Sequence, residues 1–339
     1  MKQVYHHWMT KILQAQGYDP YFANKISHEL WRDLFEVKTT TLKQKLWALR
    51  RGFTSDKIEL FGLTDQNYTD YLSDLDYYKL FPINGFYGRW IDDKLTMRLI
   101  LQPFAQYLPA YYFQIGNGEI LRLPDCPVGY GQTNQDVLAL LKEKRCLAAK
   151  LFAGSVGVGF VTLKFDNQAF SINDQPASEQ EVQTMLDTWL NMGSGGYLIT
   201  EYLHSHPALS RIWSKSANTL RVMVIRERGQ PPRIVGSFIR FGTRSTGGVD
   251  NTGAGGVACP VDLESGTFNG GNIDLVGKWI HYDNHPDSHA PIAGEVPFWP
   301  QITQKLIEIS SYLPQVIYPG YDVVITPEGF KIIEINSHQ

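Results

Sequence analysis

The chain has 339 residues, and its 31 basic and 34 acidic side chains give a formal net charge of −3. Apolar residues make up 43% and aromatic residues 13% of the sequence, which is typical of a folded globular protein and excludes a mainly disordered chain. The near-neutral balance argues against a nucleic-acid-binding protein, because affinity for a phosphate backbone would require clustered Lys and Arg. The length exceeds what one hydrophobic core usually fills, so we expect two or three domains.

The cysteines and the N-terminus point to a cytoplasmic protein. Cys126, Cys146 and Cys259 are widely spaced and form no Cys-x-x-Cys pair, so neither a disulfide framework nor a zinc knuckle is predicted. The first ten residues lack an apolar segment of signal-peptide length. The least charged window, Leu147–Leu163, is too short to span a membrane, so no transmembrane segment is expected.

Residues 1–90 are predicted to form a mainly helical region. Tyr21–Phe35 and Thr41–Leu49 place apolar residues three and four apart, and alternation typical of strands is absent. A run of five basic residues between Lys38 and Arg51 contains no acid. It is interpreted either as a solvated helix face or as a surface for an anionic acceptor or a membrane.

From about Gln106 onward, strands and helices alternate. The dipeptide Asn117-Gly118 lies between two apolar runs and predicts a hairpin. Because most predicted strands pair as hairpins, the fold class is α+β and not a doubly wound parallel sheet. The predicted strands are Tyr111–Ile115, Glu119–Leu123, Leu147–Phe152, a hairpin over Phe160–Ile172, Tyr197–Leu203, Thr219–Arg226, Arg233–Phe241, short strands near Val257 and Trp279, and Tyr321–Thr326 with Phe330–Asn336. The predicted helices are Gln135–Lys144, Ser178–Asn191 and Phe298–Tyr312.

The register of the final hairpin is the most informative prediction. A three-residue loop at Pro327–Gly329 would pair Thr326 with Phe330 and would place Asp322 directly opposite Glu334. Two carboxylates would then lie on adjacent strands.

The same hairpin predicts a cluster of oxygen donors. Strand alternation places Glu334 and Asn336 on one face and Ile333 and Ile335 on the other. Together with Asp322, the first two residues offer the all-oxygen ligand set that Mg²⁺ prefers where it bridges substrate phosphates. The alternative is an ordinary wet sheet face.

A second candidate site begins at Lys150, in a predicted strand. The loop that follows contains Gly154, Ser155, Gly157 and Gly159, whose backbone N–H groups could approach a polyphosphate beside the lysine. The loop is neither a Walker motif nor a Rossmann fingerprint, because no Gly-Lys-Ser/Thr ends it and a hairpin follows it. The alternative is a plain hairpin connection.

Two arginines and a glycine-dense loop complete the candidate site. Arg221 and Arg240 lie inside apolar strands, where a guanidinium could hold phosphate or carboxylate or could snorkel at a sheet edge. Gly253–Ala258 matches a dinucleotide-binding pattern but lacks the flanking strand and helix, so a nicotinamide or flavin site is discounted. The glycine-dense segment Gly247–Gly256 is therefore interpreted either as a mobile loop that approaches a ligand or as a plain surface loop. His281 and His285 have metal-ligand spacing only on a helix, which Pro286 disfavours, so no zinc site is predicted.

In this order, these motifs resemble the ATP-grasp superfamily, in particular the sugar-transfer-associated branch that is related to glutamate ligases. The resemblance covers about Ile91 to Asn336. The region before it departs from the usual pattern, because it is helical where many members have a Rossmann-like domain. The matching segments are Asp93-Lys94, Leu147–Leu151 with the Gly154–Gly159 loop, Leu198–Leu203, His206-Pro207, Ser216–Arg221, Ile239-Arg240, Val249–Gly256, Tyr321-Asp322 and Ile333–Asn336.

The resemblance implies a nucleotide held between two α+β subdomains, 91–200 and 201–339, which follow the helical region 1–90. Each implied role falls on a matching residue of this sequence. Lys94 and Lys150 would contact phosphates, Gly154–Gly159 would form a lid, Glu201, Tyr202 and Leu203 would hold adenine and ribose, Arg221 would touch the γ-phosphate, Asp322, Glu334 and Asn336 would bind Mg²⁺, and Arg240 with Asp250, Asn251, Gly255 and Gly256 would bind the acceptor.

The resemblance further implies an ADP-forming carboxylate-amine ligase that uses ATP and Mg²⁺ and proceeds through an acyl phosphate. The expected substrates are a small carboxylate and a small amine, for instance an amino acid and a carboxylated sugar or glycan precursor. The alternatives are an ATP-grasp kinase that phosphorylates a hydroxyl and a nucleotide-gated binding protein.

Overall fold

A computed structural model describes residues 1–152, 159–193, 195–274 and 279–338. They divide into two compact units, one comprising Met1–Gly85 with Asn272–His281 and His338, and the other comprising Phe86–Gly271 with Tyr282–Ser337. None of the helices within these ranges is both long and apolar enough to cross a membrane.

The first unit is mainly helical, as predicted. Its helices have defined starts: the Asp19 side chain accepts a hydrogen bond from the Tyr21 backbone, and Thr41 forms a capping box with Gln44. The helices are α1 (Lys2–Ala15), α2 (Pro20–Trp31), which continues as a π-helical turn (Arg32–Glu36), α3 (Leu42–Leu49), α4 (Asp56–Leu60) and α5 (Asp74–Leu80), with 3₁₀ turns at Tyr68–Asp70 and from Phe81.

The basic run of this unit is only partly a solvated surface. Lys45 is buried, and its ammonium donates to the carbonyls of Leu34 and Val37. Arg51 pairs with Asp65 at 2.7 Å. These two side chains serve packing within the unit, because their donors are used by groups of the same unit.

The second unit begins with short helices and continues with two antiparallel sheets. The helices of this unit are α6 (Arg89–Asp92), α7 (Lys94–Ile100), a 3₁₀ segment (Gln102–Tyr107), α8 (Asn134–Lys144), α9 (Glu179–Leu190), α10 (Pro207–Ser210) and α11 (Trp299–Tyr312). The sequence-predicted helices α8, α9 and α11 are confirmed to within a residue at each end.

The strands of the first sheet are β1 (Tyr111–Gly116), β2 (Glu119–Arg122), β3 (Cys146–Leu151), β4 (Val161–Asp166), β5 (Ala169–Ile172), β6 (Gln175–Ala177) and β7 (Tyr197–Glu201). They are arranged in the order β2-β1-β7-β3-β4-β5-β6, each antiparallel to its neighbours. Helices α8 and α9 pack on this sheet and bury an apolar core that includes Leu141 and Leu186. Each fully buried side chain of this kind contributes about 1.5–3 kcal/mol.

The second sheet contains, within this unit, the order β10-β9-β8-β15-β16, again antiparallel. Helix α11 packs on β8 and β9. The strands of the remaining chain are β8 (Leu220–Ile225), β9 (Arg233–Phe241), β10 (Val257–Pro260), β11 (Thr267–Asn269), β12 (Gly271–Asp274), β13 (Trp279–Tyr282), β14 (Ala293–Glu295), β15 (Gly320–Thr326) and β16 (Gly329–Asn336), with β11 and β14 forming a separate two-stranded sheet.

Most predicted strands are confirmed, whereas β6, β11, β12 and β14 were not predicted. Each of these is only three or four residues long, which is too short for an alternating pattern to identify a strand. The two sheets lie in residues 111–201 and 220–336, whereas the predicted three-part division at residues 90 and 200 stays a prediction.

The turn of the final hairpin differs from the prediction. Thr326 pairs with Gly329, not with Phe330, because the loop has two residues. The pairing of Asp322 with Glu334 is nevertheless confirmed, since an extra residue is inserted in β16 where the register shifts after Asp322. The predicted alternation, which placed Ile333 on the same face as Ile335, is therefore wrong at Ile333: this residue is the insertion and is only half-buried, whereas Ile335 is buried.

Candidate functional site

Three adjacent strands bring charged side chains side by side. Arg221 on β8 is the cross-strand partner of Asp322 on β15, and Asp322 is the partner of Glu334 on β16. Directly opposite residues have Cβ atoms about 4.5–5.5 Å apart, so these three side chains form a row across the sheet.

The row is held by ion pairs. Nε and Nη2 of Arg221 donate to the two oxygens of Asp322 at 2.5 and 3.1 Å, and Nη2 of Arg240 donates to Asp322 Oδ2 at 3.1 Å. Lys94 Nζ donates to Glu334 Oε1 at 2.9 Å. Burial of Asp322 alone would raise its pKa, but Arg240 and Arg221 hold that pKa below its usual value, so the carboxylate stays ionised.

Arg240 has a second set of partners that the sequence did not reveal. Its Nε donates to the hydroxyl of Thr219 at 2.9 Å, and that hydroxyl donates to Asp250 Oδ2 at 2.7 Å. Burial would lower the pKa of Arg240, but Asp322 and Asp250 raise it overall. Thr219 had no recognisable signal of its own, although it lies within the Ser216–Arg221 segment of the resemblance.

Lys150, on β3 of the other sheet, has a different environment. Within the described part of the chain it has no ion-pair partner. Burial, and then the positive charge of Lys94, lower its pKa to about 8. The carboxylates of Glu334 and Asp322 act in the opposite direction and raise the pKa of Lys150, which offsets part of this shift.

The predicted nucleotide residues are only partly described. Gly154, Ser155 and Gly157 lie outside the described residues. Gly159 has φ of 74°, and a Cβ there would lie 2.5 Å from the Leu151 side chain, so this position requires glycine.

The predicted adenine-binding segment begins at the end of β7. The Glu201 backbone donates to the Ala110 carbonyl at 2.8 Å, and its carboxylate accepts from the Ala110 backbone at 3.1 Å. The ammonium of Lys164 lies 5.9 Å from the centre of the Tyr202 ring. No described contact joins Glu201, Tyr202 or Leu203 to the row of charges, and their predicted role stays a prediction.

The loop from Asp250 to Gly256 is built so that Asp250 reaches Arg240. The Asn251 side chain accepts from the Gly253 backbone at 2.8 Å, and Gly255 adopts φ of 96°. A Cβ at Gly256 would lie 2.5 Å from the Asp250 carbonyl, so the turn is too tight for a side chain there. Acceptor binding by Asn251, Gly255 and Gly256 stays a prediction.

The donor chemistry fits a magnesium ion. Asp322 and Glu334 supply carboxylate oxygens from facing positions, and Asn336 follows on the same strand, paired with Gly320. Among the described residues, no group of three or more His, Cys, Asp and Glu side chains converges, so a third protein ligand would have to be an amide oxygen such as that of Asn336.

The comparison with protein families agrees with this geometry. Residues 76–339 match the family described as sugar-transfer associated ATP-grasp. The chain therefore belongs to the sugar-transfer associated ATP-grasp family, which confirms the predicted family and the α+β ATP-grasp fold class. No curated protein matches the sequence.

Among solved structures, three similar proteins are enzymes of distant sequence. N5-carboxyaminoimidazole ribonucleotide synthetase from Thermotoga maritima is 11% identical (TM-score 0.37; 74% of this chain and 43% of that chain are covered). L-amino acid ligase from Bacillus licheniformis is 9% identical (TM-score 0.36; 84% and 45%). D-alanine–D-alanine ligase from Bacillus anthracis is 12% identical (TM-score 0.39; 78% and 64%). The chain spans less than two thirds of the length of each.

Proposed function

We propose that the protein is an ATP-dependent, ADP-forming carboxylate-amine ligase. The observation that carries this proposal is the row of Arg221, Asp322 and Glu334, together with Lys94 and Lys150, in a chain of the ATP-grasp family. In the proposed reaction a substrate carboxylate takes the γ-phosphoryl group of ATP with release of ADP. An amine then displaces phosphate from the acyl phosphate, forming an amide and losing one proton.

Cationic side chains outnumber the carboxylates at this site. Lys94, Lys150, Arg221 and Arg240 face Asp250, Asp322 and Glu334, so the protein supplies a net positive field for phosphate. Such preorganised charge stabilises the charge that develops on the transferring phosphoryl group.

We assign the individual roles from the resemblance to the ATP-grasp family. Lys94 and Lys150 would bind phosphates, with Arg221 at the γ-phosphate. Gly154–Gly159 would cover the nucleotide, and Glu201–Leu203 would hold adenine and ribose. Asp322, Glu334 and Asn336 would hold magnesium, which when bound supplies neutralisation of phosphate charge.

The acceptor would bind at Arg240 and the loop Asp250–Gly256. The guanidinium of Arg240 already holds one carboxylate and one hydroxyl, so it has the chemistry to orient a substrate carboxylate. An amino acid and a carboxylated sugar or glycan precursor are our candidate substrates, and the description of the family as sugar-transfer associated supports the sugar. A cytoplasmic location is part of the same proposal.

The test is to incubate the protein with ATP, Mg²⁺, pooled amino acids and pooled uronic acids, and to quantify ADP, phosphate and new masses. We expect ADP and phosphate in equal amounts together with a condensation product, and neither above background when the substrate pools are omitted. Oxygen-18 from the carboxylate should appear in the phosphate.

Three other outcomes would each overturn the ligase. A stable phosphoester with ADP and no free phosphate would establish a kinase. Release of AMP and pyrophosphate would exclude an acyl phosphate. Nucleotide binding with no product above background, across the pooled substrates, would favour a binding protein.

A further inference from the structure

Helix α7 carries two cationic side chains on one face. Lys94 is its first residue and Arg98 lies four residues later, so both project from the same side one turn apart. Lys94 reaches Glu334 in the second sheet, whereas Arg98 points to other partners. Arg98 has no place in the function proposed above.

Arg98 is a buried cation at the centre of a polar cluster. Its side chain is only 2% exposed, which requires that its donors be paired. Nε and Nη2 form a bidentate pair with the two oxygens of Asp125 at 3.0 and 2.5 Å, and Nη1 donates to the Gln102 side chain at 2.7 Å.

Asp125 is in turn fixed to the first sheet. Its Oδ2 accepts from the Tyr111 backbone at 2.9 Å, and its own backbone donates to the Tyr111 carbonyl at 3.2 Å. Tyr111 begins β1, and β1 is separated from β3, the strand of Lys150, only by β7. The Arg98–Asp125 pair therefore anchors α7 to the sheet that carries Lys150.

The segment that follows α7 is anchored to the second sheet. Lys331 on β16 donates to the carbonyls of Gln106 and Leu108 at 2.9 and 3.1 Å. The Tyr107 ring stacks on Phe330 with centroids 5.2 Å apart. Without Arg98, α7 would thus keep its attachment to the second sheet but lose this bidentate anchor to the first.

We propose that Arg98 is a positioning residue: its bidentate pair with Asp125 holds α7 so that Lys94 stays at Glu334 and beside Lys150. An anchor is needed because Lys94 and Lys150 carry like charges and repel each other: the charge of Lys94 lowers the pKa of Lys150. A planar guanidinium pair resists that displacement better than a single flexible ammonium would. The consequence for ATP rests on the proposed function, whereas the effect on the location of Lys94 does not.

The test compares Arg98→Lys with Arg226→Lys. Arg226 offers a matched control, since its guanidinium donates at 2.7 Å to the Pro314 carbonyl, a contact that includes neither a residue of α7 nor Asp125. The first readout is the rate of acetylation of Lys94 by a limiting amine-reactive reagent, followed by mass spectrometry. Lys94 is buried at 7% exposure and ion-paired, so it should react slowly in the wild type.

We expect Arg98→Lys to raise the Lys94 acetylation rate on the order of tenfold, and Arg226→Lys to leave it unchanged. Asp125→Asn, which keeps the side-chain shape, should reproduce the increase. Near-UV circular dichroism would verify that each variant is folded. An unchanged Lys94 rate in a folded Arg98→Lys or Asp125→Asn protein would overturn the inference.

The second readout is the affinity for ATP with Mg²⁺, measured by calorimetry in a double-mutant cycle with Lys94→Met. If Arg98 acts through Lys94, Arg98→Lys should weaken binding in the wild type and have no further effect beside Lys94→Met. Additive losses would contradict action through Lys94. If the wild type binds no ATP while Lys94 becomes reactive in Arg98→Lys, the proposed function fails and the positioning role stands.

Discussion

The two sheets of the second unit carry charge in opposite ways. In the second sheet, Asp322 lies between Arg221 and Arg240. These ion pairs lower the pKa of Asp322 and raise the pKa of Arg240, so both groups stay ionised. In the first sheet, Lys150 has no ion-pair partner among the described residues, and its lowered pKa of about 8 means that it loses its proton more readily than an ordinary lysine. The charges of the second sheet are thus paired with one another, whereas the first sheet carries a cation that a bound anion would stabilise.

This difference suggests where stability and function conflict. A buried ion pair adds little net stability, because the attraction between its partners mainly offsets their desolvation, but removing one partner is costly because it leaves an unpaired buried charge. An unpaired buried cation destabilises the folded state and is retained for what it binds. Substitutions in the two sheets should therefore change stability in opposite directions.

The largest effect is expected for Asp322→Asn. This change keeps the shape but leaves two guanidiniums around a neutral group, so we expect the free energy of unfolding to fall by about 3 kcal/mol, with loss of ATP turnover. Glu334→Gln should cost less stability, because its side chain is 30% exposed and pairs with one cation, and should lose turnover as well. Urea denaturation measures the first quantity.

Asp166→Asn, at the exposed end of β4, is the matched control and should change neither quantity. Full ATP turnover by folded Asp322→Asn would remove this carboxylate from the magnesium set. A stability equal to that of the control would contradict the paired scaffold.

The opposite sign is expected for Lys150→Met. Removing a desolvated cation should raise the free energy of unfolding by about 1–3 kcal/mol at pH 7, since each pKa unit corresponds to about 1.4 kcal/mol and the side chain keeps some contact with water. ATP affinity should fall at the same time. Thermal or urea unfolding and calorimetric titration would measure the two effects separately.

Lys142→Met is the control, on helix α8, which packs on the first sheet. Lys142 is ion-paired with Glu179 and 41% of its side chain is exposed, so its loss should leave ATP affinity unchanged and should not stabilise the chain. If Lys150→Met were destabilising, Lys150 would have to be a compensated structural residue.

The same lysine predicts a pH dependence of intermediate size. Because its pKa is lower in the folded than in the unfolded chain, the unfolded chain binds more protons between about pH 8 and 10.5. The contribution of Lys150 to the free energy of unfolding should therefore rise across that window, and the stability difference between Lys150→Met and the wild type should shrink.

ATP affinity should show the reverse trend, because only protonated Lys150 attracts phosphate. Above pH 8 the wild-type affinity should fall by up to about tenfold per pH unit relative to Lys150→Met. Parallel pH profiles for the two proteins would exclude Lys150 as the titrating phosphate ligand.

Local sequence pattern predicted most of the strands, the helices α8, α9 and α11, and the facing pair Asp322 and Glu334. It could not predict the two-residue turn and the inserted residue near Ile333, because the two deviations compensate and leave the pairing at Asp322 unchanged. The pairing of Arg98 with Asp125 could not be predicted from local pattern either, because the two residues are 27 positions apart and are brought together only by the fold.

Thr219 was missed for a related reason, and it supports the smallest predicted effect. Its hydroxyl bridges Arg240 and Asp250. When the bridge is lost, Arg240 keeps its ion pair with Asp322, and its Nε still lies 3.7 Å from Asp250 Oδ1. Thr219→Val keeps the shape but leaves buried donors and acceptors unpaired, so we expect the free energy of unfolding to fall by about 1–2 kcal/mol. Thr219→Ser keeps the hydroxyl and should lose less. The two variants are compared by urea denaturation at pH 7. A larger loss in Thr219→Ser than in Thr219→Val would mean that the methyl group, and not the hydroxyl bridge, is what the second sheet requires at this position, and its charges would then be held by direct ion pairs alone.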